Sequence, residues 1–162
     1  MDYYFLKKNS TLSNNFFVDY EECIIIQFDN EYLQYVNDKI KKEIKTLLSN
    51  YNLYPISNRS FIDRELQLKN ESNQNVNKII NIGPRPAFKT SWCSNVIDVF
   101  KRLNINIERI EIFKRYLVNY QFNDYELLYD KMTEEIYDND FFTKKNKNSI
   151  YDTFSTQLEE SY

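Results

Sequence analysis

Along the chain the spacing of apolar residues changes several times, and each change marks an element. Asp2 to Lys8 and Glu22 to Phe28 are rich in aromatic and β-branched residues and predict strands. The run Ile24-Ile25-Ile26 predicts a strand covered on both faces of a sheet. Leu33, Val36, Ile40, Ile44 and Leu47 then fall on one helical stripe behind two plausible N-caps, Asp29 and Asn30, so a helix is expected over 30–49. Lys78 to Ile82 reads as a short strand, after which Val96, Val99, Phe100 and Leu103 return to helical spacing and predict a helix over 91–103. In 108–120, Ile110, Ile112, Tyr116, Val118 and Tyr120 hold one strand face, with Phe113 and Leu117 on the other. Tyr125, Leu128, Met132 and Ile136 form a last stripe that Asn123 or Asp124 caps, predicting a helix over 124–137.

Between these runs the pattern fades. Residues 9–19 hold no convincing amphipathic helix, and Ser57 to Asn77 is polar, with Phe61, Ile62, Leu66 and Leu68 able to dock locally and 70–77 reading as an exposed loop. Beyond Asn139, the run Lys144-Lys145-Asn146-Lys147-Asn148 and the loss of period predict a polar, mobile tail over 141–162, which leaves 1–140 as the folded domain. The stripes require layers: an α+β fold, with the runs 2–8, 22–28, 78–82 and 108–120 in an antiparallel or mixed sheet and the helices packed on it.

The connection Asn81 to Asn95 contains the only glycine of the chain, two of its three prolines and its only tryptophan. Gly83 tolerates positive φ or close backbone approach, while Pro84 and Pro86 fix φ and remove donors, so these three residues are assigned to a rigid structural turn. Thr90, Ser91 and Ser94 then supply cap-type hydroxyls at the start of a helix. The plain reading is a stiff corner with Trp92 packed into the core. The functional reading is narrower: Arg85, Thr90, Ser94 and Asn95 present donors towards a neighbouring domain as an interdomain contact.

Composition removes chemistry more than it supplies it. With no histidine, Cys23 and Cys93 have no imidazole to activate them, and with one glycine there is no phosphate-cradling loop, so no catalytic and no cofactor-binding residue is assigned. Neither cysteine stands in a CxxC, so both read as reduced structural thiols. Glu134-Glu135, Asp138, Asp140 and Glu159-Glu160 are adjacent in sequence only, the pattern of solvated acids, and no metal site is assigned. Lys39, Lys41, Lys42 and Lys45 read as a solvated helix face. A net charge of −3 leaves no basic footprint for nucleic acid. Neither a leader nor a run of membrane-spanning length appears, so no membrane partner and a cytoplasmic location are expected.

Three blocks in order carry a resemblance. Gly83, Pro84, Arg85, Phe88, Thr90, Ser94 and Asn95 come first; Arg109-Ile110-Glu111 with Arg115-Tyr116 follows; then comes Leu128-Tyr129-Asp130-Lys131-Met132-Thr133-Glu134 on the predicted last helix. This segment resembles the amino-terminal domain of phosphoribosylformylglycinamidine synthase (FGAM synthase), with Tyr129 where histidine is usual and without a crossover helix in 9–19. The resemblance implies the fold of the small accessory subunit dimer of that enzyme. It implies a non-catalytic domain or separate subunit supporting glutamine- and ATP-dependent amidination in purine biosynthesis, with the synthetase and glutaminase polypeptides as partners. The chain itself would hold no cofactor, ATP and Mg being used by the complete enzyme, and alone it would be inactive. The alternative is a diverged interaction protein that keeps the fold without the purine-synthesis role.

Overall fold

The computed structural model describes residues 2–7, 17–51, 56–70 and 77–137. The expected loop between Asn70 and Asn77, most of the connection 9–19 and the tail 141–162 lie outside the described residues. Strands β1 (Asp2–Lys7), β2 (Phe17–Phe28), β3 (Ile56–Ser57), β4 (Asn77–Pro84), β5 (Ile107–Asn119) and β6 (Glu134–Tyr137) form one sheet in the order β3-β1-β2-β5-β4-β6, and every pairing is antiparallel. Helices α1 (Asp38–Tyr51), α2 (Phe61–Asn70) and α3 (Ser91–Arg102) complete an α+β architecture. All four expected strand runs are present, and β2 begins earlier than the sequence indicated, at Phe17.

The strands alternate as their sequences require. One face carries Tyr4, Leu6, Ile24, Ile26, Phe28 and Ile110, which pack against Ile44 and Leu48 of α1 and Cys93, Ile97 and Phe100 of α3. Further along the same face, Tyr20, Ile80, Ile82, Tyr116 and Val118 are covered by Phe122 and Leu128. The opposite face holds Phe5, Cys23, Ile25 and Phe113, covered by Tyr137 and by Phe61 of α2. Ile24, Ile25 and Ile26 are all buried, as a strand covered on both sides demands.

Two helix expectations need correction. The first helix begins at Asp38, not 30: Asp29 Oδ1 accepts from the Glu31 N–H at 2.9 Å and its carbonyl accepts from Tyr32 and Leu33, which makes a turn leading into a short 3-10 segment, Leu33–Tyr35. Asn37 is the residue whose Oδ1 caps α1, accepting from Ile40 N at 3.0 Å. Leu33 therefore leaves the stripe and is exposed.

The second correction is larger, because 124–137 is not a helix. It forms a 3-10 turn at Tyr125–Leu127, with no side-chain cap from Asp124, and then strand β6. Asp130 Oδ1 accepts from Met132 N–H, and the Asp130 carbonyl accepts from Thr133 and Glu134, so this side chain offers the backbone an alternative to the helix. Edge pairing with β4, from Asn81↔Tyr137 to Pro84↔Glu134, draws the rest into the sheet. Met132 and Ile136 of the supposed stripe are left exposed while Leu128 is buried.

Helix α3 ends as its sequence allows. Asn104 adopts φ 60°, and the N–H groups of Asn104 and Ile105 return to the carbonyls of Lys101 and Phe100. That reversal feeds the chain directly into β5, whose side chains build the site described next.

Candidate functional site

The loop after β4 is built by a change of strand partner. β4 and β5 pair from Asn77↔Asn119 to Ile82↔Lys114; extending that register sets Pro84 against Ile112, and proline has no N–H to give the Ile112 carbonyl. The ladder stops there, and β4 continues only against β6. Gly83 does not have a positive φ, which corrects one of the two reasons the sequence offered for it. The other reason holds: a Cβ on Gly83 would lie 2.1 Å from Cε1 of the buried Phe113 ring, so close approach is what the position requires. The Tyr137 hydroxyl donates to the Pro84 carbonyl at 2.6 Å, and Pro86 is buried.

Past the turn, β5 clamps the loop with its polar side chains. Arg109 donates from Nη1 to the Pro86 carbonyl at 2.5 Å and from Nη2 to the carbonyls of Phe88 and Arg85 at 2.9 and 3.2 Å. Two residues on, Glu111 accepts from the Thr90 N–H and hydroxyl at 3.2 and 3.0 Å, while Thr90 Oγ1 accepts from Cys93 N and caps α3. Burial pushes the Glu111 carboxyl above its ordinary range, against the pull of the Thr90 donors and Arg109.

Each residue named from sequence can now be placed. Arg85 is half-exposed and turns inward on its own chain: Nε and Nη2 donate to the Lys131 carbonyl at 2.9 and 2.5 Å, its N–H to Thr133 O, and Nη1 lies 3.7 Å from Glu135. Arg85 thus ties the loop to the turn before β6. Thr90 stands at the helix cap, and Ser94 and Asn95 are exposed on the first turns of α3. The helix start brings Thr90 and Ser94 together, the Thr90 carbonyl accepting from Ser94 N–H at 3.2 Å, while the contacts of Arg85 are with Lys131, Thr133 and Glu135.

The charged residues of β5 were missed as site residues. Arg115 is fully buried: it donates to Glu21 Oε1 at 2.8 Å, to Asp63 Oδ1 at 2.9 Å, to Asn81 Oδ1 at 2.8 Å and to Ser60 Oγ at 2.9 Å. Glu21 in turn accepts from Ser60 and from the N–H groups of Phe61 and Ile62, so the first turn of α2 is seated on this pair. Burial raises the Glu21 carboxyl, opposed by Ser60, Arg115 and those N–H groups. The available signal was Arg109, Glu111 and Arg115 sharing strand parity in a run that is apolar at Ile107, Ile110, Ile112, Phe113, Tyr116, Leu117 and Val118.

Chemically, the described contacts hold the loop and the starts of α2 and α3 in place. Burial pushes both thiols, Cys23 and Cys93, up and away from the thiolate form. Among the described residues no group of three or more Cys, Asp or Glu side chains gathers to hold a metal ion, and no helix is long and apolar enough to cross a membrane.

The family model described as formylglycinamide ribonucleotide amidotransferase N-terminal matches residues 31–145. A probable phosphoribosylformylglycinamidine synthase of Caenorhabditis elegans is 40% identical over 102 residues, 60% of this chain and 7% of its own length. The phosphoribosylformylglycinamidine synthase of Dictyostelium discoideum is 34% identical over 131 residues, 74% of this chain and 9% of its own. The chain therefore spans less than a tenth of the length of either relative. No solved structure matches it.

Proposed function

The chain belongs to the formylglycinamide ribonucleotide amidotransferase N-terminal family, and from that premise we propose that it serves FGAM synthase in purine biosynthesis as a non-catalytic amino-terminal domain or separate subunit. Its task is to dock the synthetase and glutaminase parts, so that nitrogen released from glutamine reaches the ATP-activated amide without meeting water. The fold assigned to it is that of the small accessory subunit dimer, and residues 1–140 form the working domain with 141–162 as a polar extension. Its location is cytoplasmic. ATP and Mg are assigned to the complete enzyme, with none assigned to this chain.

One observation carries the reading: the three buried charged residues of β5 hold neighbouring segments in place, Arg109 through the loop carbonyls, Glu111 through Thr90 at the start of α3, and Arg115 through Glu21 and Asp63 at the start of α2. Arg85, Thr90, Ser94 and Asn95 are proposed as the interdomain contacts on that rigid support, and Gly83, Pro84 and Pro86 as the turn that aims them. Arg85 is oriented by the Lys131 carbonyl.

The test mixes the purified chain with the synthase catalytic polypeptide. The mixture is expected to co-elute and to show glutamine-dependent synthesis, while the chain alone turns over neither glutamine nor ATP. Arg85→Lys keeps the charge but loses the planar fork, so association is expected to weaken by about 1–3 kcal/mol with little change in melting temperature. Turnover by the isolated chain, or no complex at micromolar concentration, would refute the reading. Unchanged coupling in Arg85→Lys would leave Arg85 a structural tie only.

A further inference from the structure

Between helix α1 and the outer edge of β1 lies an open cleft of about 760 Å³. β3 pairs with β1 only at Phe5 and Leu6, so it stops short of Asp2 and Tyr4, and Asn58, the residue after β3, lines the cleft beside them. Asp38, Lys41, Lys42 and Lys45 face it from α1, at spacings of three and four that share one side of a helix. This corrects part of the sequence reading. Lys41 and Lys45 are half-buried at the cleft and do not stand on a solvated face, whereas Lys39 is exposed.

The charges of the cleft do not cancel. Lys41 lies 3.7 Å from Asp2 Oδ1, but among the described residues neither Lys42 nor Lys45 has an ion-pair partner. Three ammoniums thus meet two carboxylates, Asp2 and Asp38, and the cleft is positive in a chain whose net charge is −3. A half-buried ammonium without a counter-ion has given up hydration that nothing returns. Tyr4 is an independent pointer. It is 3% exposed, packs in the core with Ile44 and Leu48 of α1 and also lines the cleft, yet its hydroxyl makes no hydrogen bond among the described residues. Buried hydroxyls ordinarily have a partner. Burial and the neighbouring Asp2 charge push its pKa up to about 12, so it is a neutral donor at physiological pH.

We infer that this cleft binds a small phosphate-bearing anion, with Lys42 and Lys45 taking its charge and the Tyr4 hydroxyl and Asn58 amide donating to its oxygens. A phosphate group brings about −1.5 to −2 charges and three acceptor oxygens, enough to answer both lysines and the neutral donors together. A single carboxylate brings half of that and meets repulsion from Asp38. The probe is inorganic pyrophosphate, titrated by calorimetry into the intact chain at fixed ionic strength. Saturable one-to-one binding is expected, with amide resonance shifts confined to β1, α1 and Asn58. Lys42→Gln and Lys45→Gln should each weaken it about tenfold, the size of one charge-assisted contact, and Tyr4→Phe by a smaller factor. Lys42 is exposed, so its variant keeps the test valid should either of the others disturb the fold.

Lys39→Gln, on the same helix but outside the cleft, should leave binding unchanged. No saturation at millimolar pyrophosphate overturns the inference. So does a loss in Lys39→Gln equal to that in Lys42→Gln, which reduces the effect to general charge, or citrate binding as tightly as pyrophosphate, which removes the preference for phosphate. None of these measurements uses the synthase polypeptide, so their failure leaves the functional reading untouched.

Discussion

Gly83 shows how one position can be fixed by its neighbour and not by its own backbone. Its φ is not positive, so an L side chain is conformationally acceptable there, but the buried Phe113 ring occupies the space a Cβ would fill. Phe113 has no room to retreat, since Tyr137 meets it edge-on at 5.0 Å between ring centres. Gly83→Ala is therefore expected to cost about 1–3 kcal/mol, the range for overpacked cores. A double-mutant cycle with Phe113→Ala, read by urea denaturation, tests the cause: the cost of the alanine should largely vanish once the ring is gone. An equal cost in both backgrounds would mean that the ring is not the reason.

At the scale of elements, the start of α3 depends on one hydroxyl with two duties. Thr90 Oγ1 caps Cys93 and donates to Glu111, so Thr90→Ala is expected to cost about 1 kcal/mol for the cap, together with the lost bond to a buried carboxyl, and Thr90→Ser should restore most of it. Chemical denaturation of the three proteins decides the point. This start was legible in the sequence because cap chemistry is local. The same logic failed at Asp29 and Asp124, where suitable caps precede apolar stripes that do not become helices at those points. What overrides the stripe at Tyr125–Ile136 is the edge of a sheet about 50 residues away in sequence, supplied by Asn81 to Pro84, and no local spacing carries that information. The residues proposed as contacts were singled out for a similar reason, as they sit in a run of unusual residues. Arg109 and Arg115 were not, because a charged residue in a strand reads as solvent-facing until its partners on β2, α2 and the loop are known.

For the whole molecule, the buried carboxyls link stability to pH. Burial raises the Glu111 pKa above the ordinary 4.5, so the folded state holds its proton more tightly than the unfolded one. The stability this contributes is fully present below the unfolded pKa and is lost as pH rises through the folded value. Lowering the pH from about 8 towards about 5 should therefore raise the urea midpoint of the wild-type chain relative to Glu111→Gln, which lacks the titration; a gap that stays constant or shrinks would contradict the assignment. Arg115 has a consequence of a different kind. It is met on its own side of β5 by the polar groups of Glu21, Asp63, Asn81 and Ser60, while residues one step away, such as Tyr116, face an apolar cluster. Were β5 to slide by a single residue against β2 or β4, every side chain would change sides, and the guanidinium would enter hydrocarbon, leaving Glu21 uncompensated behind it. Breaking a buried pair in that way costs about 3–5 kcal/mol, so a long isoleucine-rich strand that could slip along its neighbours has one alignment that its charges accept.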